Sequence, residues 1–236
     1  MRSAPLPSDD LTARARIRDA ALLRFARDGF GASVRSIATD AEVSPALVIH
    51  HFGSKDALRA DCDAYVLQRI RDQKTADLTT GTPREVMSQI ADLAAYGPLF
   101  GYLVRSLSVG GPLAARFVDD LVVASRAYLD AAVAAGTMTP SRDPDGRARY
   151  AVAQTIGLLQ LAAIDAEAGR APSPTLDPVG AIARLGQWAY LPALELFTEP
   201  MLTGSGLLDA YLDTVGSPDP ATDHADPSAP HDQERP

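Results

Sequence analysis

The chain has 236 residues, of which 46% are apolar, and it carries a formal net charge of −8. It contains one cysteine, Cys62, and no run of about 18 consecutive apolar residues, so its composition excludes a disulfide scaffold and predicts no membrane span. Because residues 1–10 lack a basic stretch followed by an apolar one, we expect no export and a cytoplasmic location.

The predicted elements, taken in chain order, are all helices. They cover residues 10–28, 33–40, 44–51, 54–76, 83–96, 98–109, 112–135, 143–168, 178–197 and 205–215. Glycines such as Gly53 and Gly97 stand where helices could end. Four starts carry a capping residue followed at once by proline, in Ser44-Pro45, Thr82-Pro83, Asp143-Pro144 and Asp177-Pro178. No segment alternates apolar and polar residues as a strand would, so the predicted fold class is all-α.

Residues 33–58 predict two short helices joined by a tight turn around residues 41–43. Ile37, Ala38 and Val48 are spaced so that the two helices can pack against each other. The second helix would be only about 12 Å long, which suits insertion of its N-terminal end into the major groove of DNA. Lys55 follows at the start of the next helix, where its ammonium group and the free backbone N–H groups could together hold a phosphate.

Short blocks of this segment resemble the DNA-binding domain of TetR/AcrR-type regulators. They lie within residues 14–62, in the family's order and spacing, and read Gly29-Phe30, Ser33-Val34-Arg35-Ser36-Ile37-Ala38, Val43-Ser44-Pro45, His51-Phe52 and Ser54-Lys55-Asp56-Ala57-Leu58. The resemblance implies a TetR-like all-α fold, in which an N-terminal three-helix helix-turn-helix domain precedes a helical domain for ligand binding and dimerisation. It also implies a homodimer, and repression that a ligand relieves.

Three segments are therefore expected. Residues 1–60 would bind DNA, and residues 61–215 would form the ligand-binding and dimerisation domain. Residues 216–236 are rich in proline and aspartate and hold too little apolar surface to form a core, so they are predicted to be a disordered tail.

The sequence departs from the family pattern in the second short helix. The family often has an aromatic residue at the position of Ile49, where a hydroxyl can reach a phosphate, and a small polar residue at that of Leu47. Ile49 cannot make that bond, so the adjacent His50 is an alternative phosphate contact. Leu47 favours apolar contact with a thymine methyl group. Which of Ile49 and His50 approaches the phosphate stays open.

The expected DNA interface consists of residues in or beside the two short helices, namely Ser33, Arg35, Ser44, Pro45, Ala46, Leu47, Ile49, His50, His51 and Lys55. Phosphate contact is favoured over a solvated position for Arg35 and Lys55. His50 and His51 point about 100° apart on a helix and cannot chelate one metal ion, so at least one of them is favoured as a phosphate contact. The sequence predicts no metal or other cofactor.

The larger domain offers apolar stripes that could line a pocket for an apolar or aromatic ligand. The candidate ligand-binding residues are Leu99, Leu103, Arg105, Phe117, Leu121, Tyr128, Gln154, Leu158 and Trp188. Such stripes are more often plain core. Arg105 stands among apolar residues, and pairing with an acid is favoured over a role in the pocket.

The homodimer is expected to form through the helices at about 143–168 and 178–197. The first is apolar nearly all round from residue 156 to residue 164, which indicates burial on more than one side. The second carries a smooth stripe of mostly small residues that would permit close packing, formed by Ile182, Leu185, Gly186, Ala189 and Ala193. We expect these helices to form a four-helix contact across a two-fold axis.

The favoured function is a ligand-responsive repressor, which as a dimer binds a palindromic operator in double-stranded DNA and is released by a small molecule. It could control an efflux pump or a metabolic operon. An architectural DNA-binding protein of the same fold, without a ligand, is the first alternative. An all-helical enzyme is the second. It is disfavoured because no carboxylate pair or phosphate-binding glycine loop has usable spacing, and because two of the four histidines lie in the predicted tail.

Overall fold

The computed structural model of the chain describes residues 7–82, 84–85, 93–199 and 201–216. Within these ranges the chain forms helices and no β-strand, as the sequence predicts. The helices are α1 (Pro7–Asp28), α2 (Val34–Asp40), α3 (Pro45–Phe52), α4 (Lys55–Thr79), α5 (Leu93–Ser108), α6 (Gly111–Ala134), α7 (Pro144–Glu167), α8 (Pro178–Thr198) and α9 (Gly206–Val215). None of these described helices combines the length and apolar character needed to cross a lipid bilayer.

The predicted helix starts are confirmed by their capping hydrogen bonds. Ser44 Oγ accepts from the Leu47 N–H at 3.2 Å. At the starts of α7 and α8, Asp143 Oδ1 and Asp177 Oδ1 accept from backbone N–H groups at 2.7 Å and 3.0 Å. Each cap satisfies a donor that the first turn leaves unpaired. Local sequence thus fixes where these helices begin.

A reciprocal capping box joins Thr82 to Glu85. The Thr82 N–H donates to Glu85 Oε2 at 2.8 Å, and the Glu85 N–H donates to Thr82 Oγ1 at 3.3 Å. The pKa of Glu85 is lowered because its carboxylate accepts hydrogen bonds from the Thr82 N–H and from Thr82 Oγ1. Most of the helix predicted over residues 83–96 lies outside the described residues, as do residues 217–236 of the predicted tail.

The predicted helix break at Gly97 is wrong, because α5 runs through Gly97 and Pro98 without ending. A Cβ atom at Gly97 would lie 2.9 Å from Val179 Cγ2, and one at Gly101 would lie 3.1 Å from the Pro174 carbonyl oxygen. These glycines are therefore sites of close packing between α5 and the start of α8. A glycine in a helical protein can end a helix or allow another helix to pack closely, and only its neighbours in the folded structure show which role it has.

One apolar core continues from the N-terminal helices into the larger bundle. α4 links the two, since it packs against α1 at one end and more extensively against α6. Phe25 of α1, Leu58 of α4 and Tyr102 of α5 are all fully buried in this core. Cys62 is buried beside them, and burial raises the pKa of its thiol. The N-terminal helices and the bundle therefore share their packing.

The face of α8 that was expected at a dimer contact is turned inward. Ile182 and Ala189 are buried within the single chain, where α8 packs on α5. The outward face instead carries Trp188, Leu191 and Leu194, which are all exposed. The helix lies where the sequence predicts it, and its stripe of small residues packs within the chain, because small residues suit close packing within a chain as well as between chains.

Candidate nucleic-acid interface

α2 and α3 form a helix-turn-helix around a tight turn. The Ala41 N–H donates to the Ile37 carbonyl at 2.9 Å, and the Val43 N–H donates to the Ala38 carbonyl at 2.9 Å. Glu42 occupies the left-handed region with φ of 55°, a conformation that an L-residue rarely adopts. This conformation at Glu42 reverses the chain sharply between α2 and α3.

α3 presents one side to the core and the other to solvent. Val48 and Phe52 are buried and hold the helix against its neighbours. On the outward side Pro45, Ala46 and His50 are exposed, and Ile49 is 43% exposed, while Leu47 is half-buried. Because the buried side fixes the helix, its outward side chains are presented in a defined orientation, as reading base edges in a groove requires.

The predicted contacts Ser33 and Ser44 both serve as N-caps. Ser33 Oγ accepts from the Ser36 N–H at 3.1 Å at the start of α2, and Ser44 Oγ caps α3. Both residues are exposed, and so is Arg35 in the first turn of α2. Helix N-termini favour anions. The exposed guanidinium of Arg35 beside the N-terminus of α2 is thus suited to a phosphate.

Lys55 makes a contact that the sequence did not predict. Its Nζ donates to the Phe30 carbonyl oxygen at 3.0 Å, and Arg59 stacks on the Phe30 ring with its guanidinium carbon 3.5 Å from the centroid. Lys55 therefore ties the start of α4 to the loop before α2. An ammonium group has three donors, so this bond leaves two for a phosphate.

The structure separates the two adjacent histidines. His50 is exposed on the outward side of α3, whereas His51 is half-buried. The His51 ring lies against Phe52 with their centroids 6.3 Å apart, and the His51 carbonyl accepts from Arg14 Nη1 at 3.0 Å. His50 is therefore the more exposed of the two, and His51 packs at the junction of α3 with α1.

Sequence reasoning missed two arginines that position the interface. Arg14 of α1 donates to Asp61 at 2.5 Å and also lies over the Phe52 ring, so it connects α1 with α3 and α4. Arg24 donates to both carboxylate oxygens of Asp40, at 2.6 Å and 2.5 Å, and joins α1 to the end of α2. These partners are 16 to 47 residues apart in the sequence, and no local pattern signals such pairs.

Asp28 also binds Arg24, and it joins the group formed by Arg24 and Asp40. The pKa of this carboxyl group is lowered to about 2, mostly by the hydrogen bond from Arg27 and next by that from Arg24. Arg24 thus contacts two carboxylates, one in the last residue of α1 and one in the last residue of α2. The ion pairs are exposed, so they orient the helices more than they stabilise the fold.

The nine residues predicted to bind a ligand are spread over the core and the surface of the described helices. Leu103, Phe117 and Leu121 are buried in the continuous core, with Leu99 packed against it. Tyr128, Gln154 and Leu158 are half-buried. Trp188 is 43% exposed and borders a cleft of about 10 Å³ formed with none of the other eight. That volume is close to that of one water molecule.

Arg105 has a different role from either one expected. Its Nε donates to the Ala26 carbonyl and its Nη2 to the Arg27 carbonyl, each at 3.2 Å. Both acceptors lie in the last turn of α1, where carbonyls lack helical partners and a positive charge is favoured. Arg105 therefore fastens the C-terminus of α1 to the larger bundle.

Residues 17–62 match the family described as bacterial regulatory proteins, tetR family. Residues 94–203 match the tetracyclin repressor-like C-terminal domain. The HTH-type transcriptional regulatory protein RaaS of Mycobacterium tuberculosis is 42% identical over 217 residues, which span 90% of this chain and 95% of that protein. The chain belongs to the TetR family of transcriptional regulators. The prediction made from the short sequence blocks is thereby confirmed.

Two solved structures are similar to most of this chain. GusR of Salmonella enterica is 24% identical, with a TM-score of 0.47, over 79% of this chain and 98% of that one. A TetR-family regulator of Pectobacterium atrosepticum is 16% identical, with a TM-score of 0.49, over 85% of this chain and 99% of that one. In this TetR-family chain, the first matched segment contains the whole of α2 and α3 and reaches into α4.

Proposed function

We propose that the protein is a ligand-responsive repressor that binds a palindromic operator as a homodimer. The observation that carries the DNA-binding part is the outward side of α3, where Pro45, Ala46, Ile49 and His50 are exposed on a helix held by a buried opposite side. Family membership supports regulation of transcription. The proposed phosphate contacts are Arg35, Lys55 and His50, with Ser33 and Ser44 beside them.

A homodimer is supported by an exposed apolar stripe on α7. Tyr150, Leu161 and Ile164 are exposed, and Gly157 lies on the same side at helical spacing. Together with the outward face of α8, this stripe forms an apolar surface larger than isolated exposed side chains would give. Two copies related by a two-fold axis could bury it in an isologous four-helix contact.

An interface variant should distinguish this contact from the inward face. Leu191→Glu places a charge on the outward face of α8 and should yield monomers in sedimentation velocity. Ala189→Glu places a charge in the buried face and should lower the unfolding free energy instead, by more than about 3 kcal/mol. A native protein that sediments as a monomer at micromolar concentration would contradict the dimer.

Selection from random duplex DNA tests the operator. A dimeric helix-turn-helix protein should enrich an inverted repeat whose half-sites lie about 34–36 Å apart, one helical turn or a multiple of it. The fully exposed side of α3 should be needed, so a variant with Ala46→Glu should enrich nothing. Enrichment of a single half-site, or of no sequence by the native protein, would contradict the proposal.

A DNA-binding protein that needs no ligand is a second candidate, because Leu103, Phe117 and Leu121, which were expected to contact a ligand, are buried in the continuous core. Addition of apolar and aromatic compounds to the protein on its selected DNA separates the two functions. A compound that releases the DNA and raises the melting temperature of the free protein supports the repressor. If no compound in a broad set releases the DNA, the result supports the second candidate.

A further inference from the structure

α9 is amphipathic, and its apolar side has no partner within the described part of the chain. On a helical projection Leu207, Leu208, Tyr211, Leu212 and Val215 fall within one arc of about 140°, opposite Asp209 and Asp213. Leu207 is 72% exposed and Tyr211 is 57% exposed. No side chain of α9 is buried, and the helix is not among those that pack substantially on another described helix.

A helix as short as α9 needs packing contacts with another surface to be stable. Isolated helices shorter than about 12–15 residues are marginal in water, and α9 has 10 residues. The segment before it adds to the apolar surface, since Met201 and Leu202 are exposed. An open hollow of about 580 Å³ lies between this segment and α9, lined by Leu202, Gly204, Ser205, Leu207, Leu208 and Tyr211. This open, mainly apolar hollow offers a contact for an apolar side chain from elsewhere.

The charge of this region excludes two kinds of partner. Residues 185–216 contain four acidic residues, Glu195, Glu199, Asp209 and Asp213, and no lysine or arginine. Helices that lie on anionic membranes carry basic residues on the polar side, and nucleic acid requires a basic surface. The apolar side of α9 is therefore suited to another apolar protein surface.

The C-terminal half of α8 is such a surface. Leu191 and Leu194 face the proposed two-fold contact, while Leu196 and Phe197 point to other sides of the helix and are also exposed. Exposed apolar side chains therefore point to more than one side of this half of α8, and such a helix is normally buried on more than one side. A four-helix contact would cover only one side, which leaves a surface for α9.

We propose that α9 is an arm that crosses to the second copy of the chain and packs over the C-terminal half of α8 of that copy. The connection over residues 199–205 can span up to about 23 Å when extended, enough to reach a neighbouring helix. Exchange of one terminal helix between identical copies needs no further partner, and the surface it covers is continuous with the apolar surface of α7 and α8. This inference rests on the dimer of the proposed function.

Two matched variants of the full chain test the energetics. Leu208→Asp places a charge in the centre of the apolar arc, whereas Ala210→Asp places the same charge on the polar side. Sedimentation equilibrium should show that Leu208→Asp raises the dimer dissociation constant at least about 30-fold, since two buried leucines are lost per dimer. The Ala210→Asp variant should stay within about 2-fold of the native protein. Equal dissociation constants for all three proteins would overturn the arm while leaving the dimer intact, and a monomeric native protein would instead overturn the dimer itself.

Photo-crosslinking decides whether the arm packs on its own chain or on the other one. A benzoylphenylalanine in place of Leu208 should give, after irradiation, a covalent dimer on a denaturing gel, with the attachment mapped by mass spectrometry to residues 190–198. The same group in place of Ala210 should give little covalent dimer. Crosslinks from position 208 that stay within one chain would overturn the exchange.

Discussion

At the scale of single residues, Arg105 illustrates how a half-buried arginine can bind backbone carbonyls and neither an acid nor a ligand. Its guanidinium donates to two carbonyls that stand 78 and 79 residues earlier in the chain. Every residue has a backbone carbonyl, so the residue types in the sequence could not identify these two acceptors. The composition of α5 predicted that Arg105 needs a partner, and only the packing of α5 on α1 supplies it.

Replacing Arg105 should therefore weaken the attachment of α1. Arg105→Met keeps much of the aliphatic stem and removes both donors. The free energy of unfolding should fall by about 1–3 kcal/mol, because two helix-terminal carbonyls lose charged partners. Urea denaturation measures it, with Arg116→Met on the exposed side of α6 as the control. Equal stability of the two variants would contradict the role of Arg105.

The hydrogen bond of Tyr102 should contribute about as much to stability as those of Arg105. Its hydroxyl is buried and donates to Asp63 Oδ1 at 2.7 Å, while burial raises the pKa of Asp63. Tyr102→Phe removes that donor and should cost about 1–3 kcal/mol at neutral pH. Asp63→Asn is the control, since an amide oxygen keeps the acceptor without a buried charge, and it should cost less.

The pH dependence gives the Asp63 account a second test. Because the folded pKa of Asp63 lies above its unfolded value, the folded state binds the proton more tightly, and stability from this group falls as pH rises between the two values. The deficit of Tyr102→Phe should therefore shrink as pH is lowered toward the unfolded pKa. If the unfolding free energy lost in Tyr102→Phe grew as pH falls, the Asp63 carboxylate would not be the group that depends on the Tyr102 hydrogen bond.

Ile49 is one of the two positions in α3 at which the sequence differs from the expected family pattern. Its exposed position on α3 leaves room for a larger side chain. Ile49→Tyr should keep or strengthen binding to the selected duplex, because the phenol can reach a phosphate, and fluorescence anisotropy measures the affinity. Ile49→Phe supplies the ring without the hydroxyl and should bind less tightly than the tyrosine variant. A sharp loss in both variants would mean that Ile49 itself contacts a base.

At the scale of elements, the sequence predicted helix starts better than helix interruptions. Capping side chains act within three residues, so Ser44, Asp143 and Asp177 could be interpreted locally. Gly97 could not, because a glycine that ends a helix and one that admits a neighbour have the same local signature. The direction of an apolar stripe, inward or outward, was equally ambiguous on α8.

Paired glycine substitutions test the close packing of α5. Gly101→Ala brings a Cβ atom within 3.1 Å of the Pro174 carbonyl oxygen and 3.3 Å of Ala26 Cβ. It should lower the unfolding free energy by up to about 2 kcal/mol, since overpacking outweighs the gain in helix propensity. Gly157→Ala meets no neighbouring atom within 4 Å and should raise it by about 1 kcal/mol. Thermal unfolding distinguishes the two, and the same sign for both would contradict the packing.

At the scale of the whole molecule, the sequence predicted the helices of both parts, but it did not predict which side chains of the larger bundle face its core. The first three helices follow from caps and from short blocks with fixed spacing. The ligand-binding residues were inferred from apolar stripes, and a stripe that lines a cavity is indistinguishable from one that fills a core until its neighbours are known. Leu103 and Phe117 belong to the core that also holds Phe25 and Leu58 of the DNA-side helices.

That shared core predicts how the two parts influence each other. α4 begins beside the proposed DNA contacts at Lys55 and continues along α6, while Arg105 fastens α1 to α5. A ligand that enters the bundle must displace side chains that also position α1 and α4. Coupling through such contacts is typically about 1–3 kcal/mol, and binding of DNA must weaken binding of that ligand to the same extent.

The most direct test of the account is the salt dependence of DNA binding by the helix-turn-helix. The selected duplex is titrated at several salt concentrations with the native protein, Arg35→Ala and Lys55→Ala. Affinity of the native protein should fall linearly on a logarithmic plot, and each variant should lower the slope by about one phosphate contact per protomer while weakening all sequences alike. Unchanged affinity and slope in both variants would contradict the assignment of α2, α3 and the start of α4 as the DNA-binding surface.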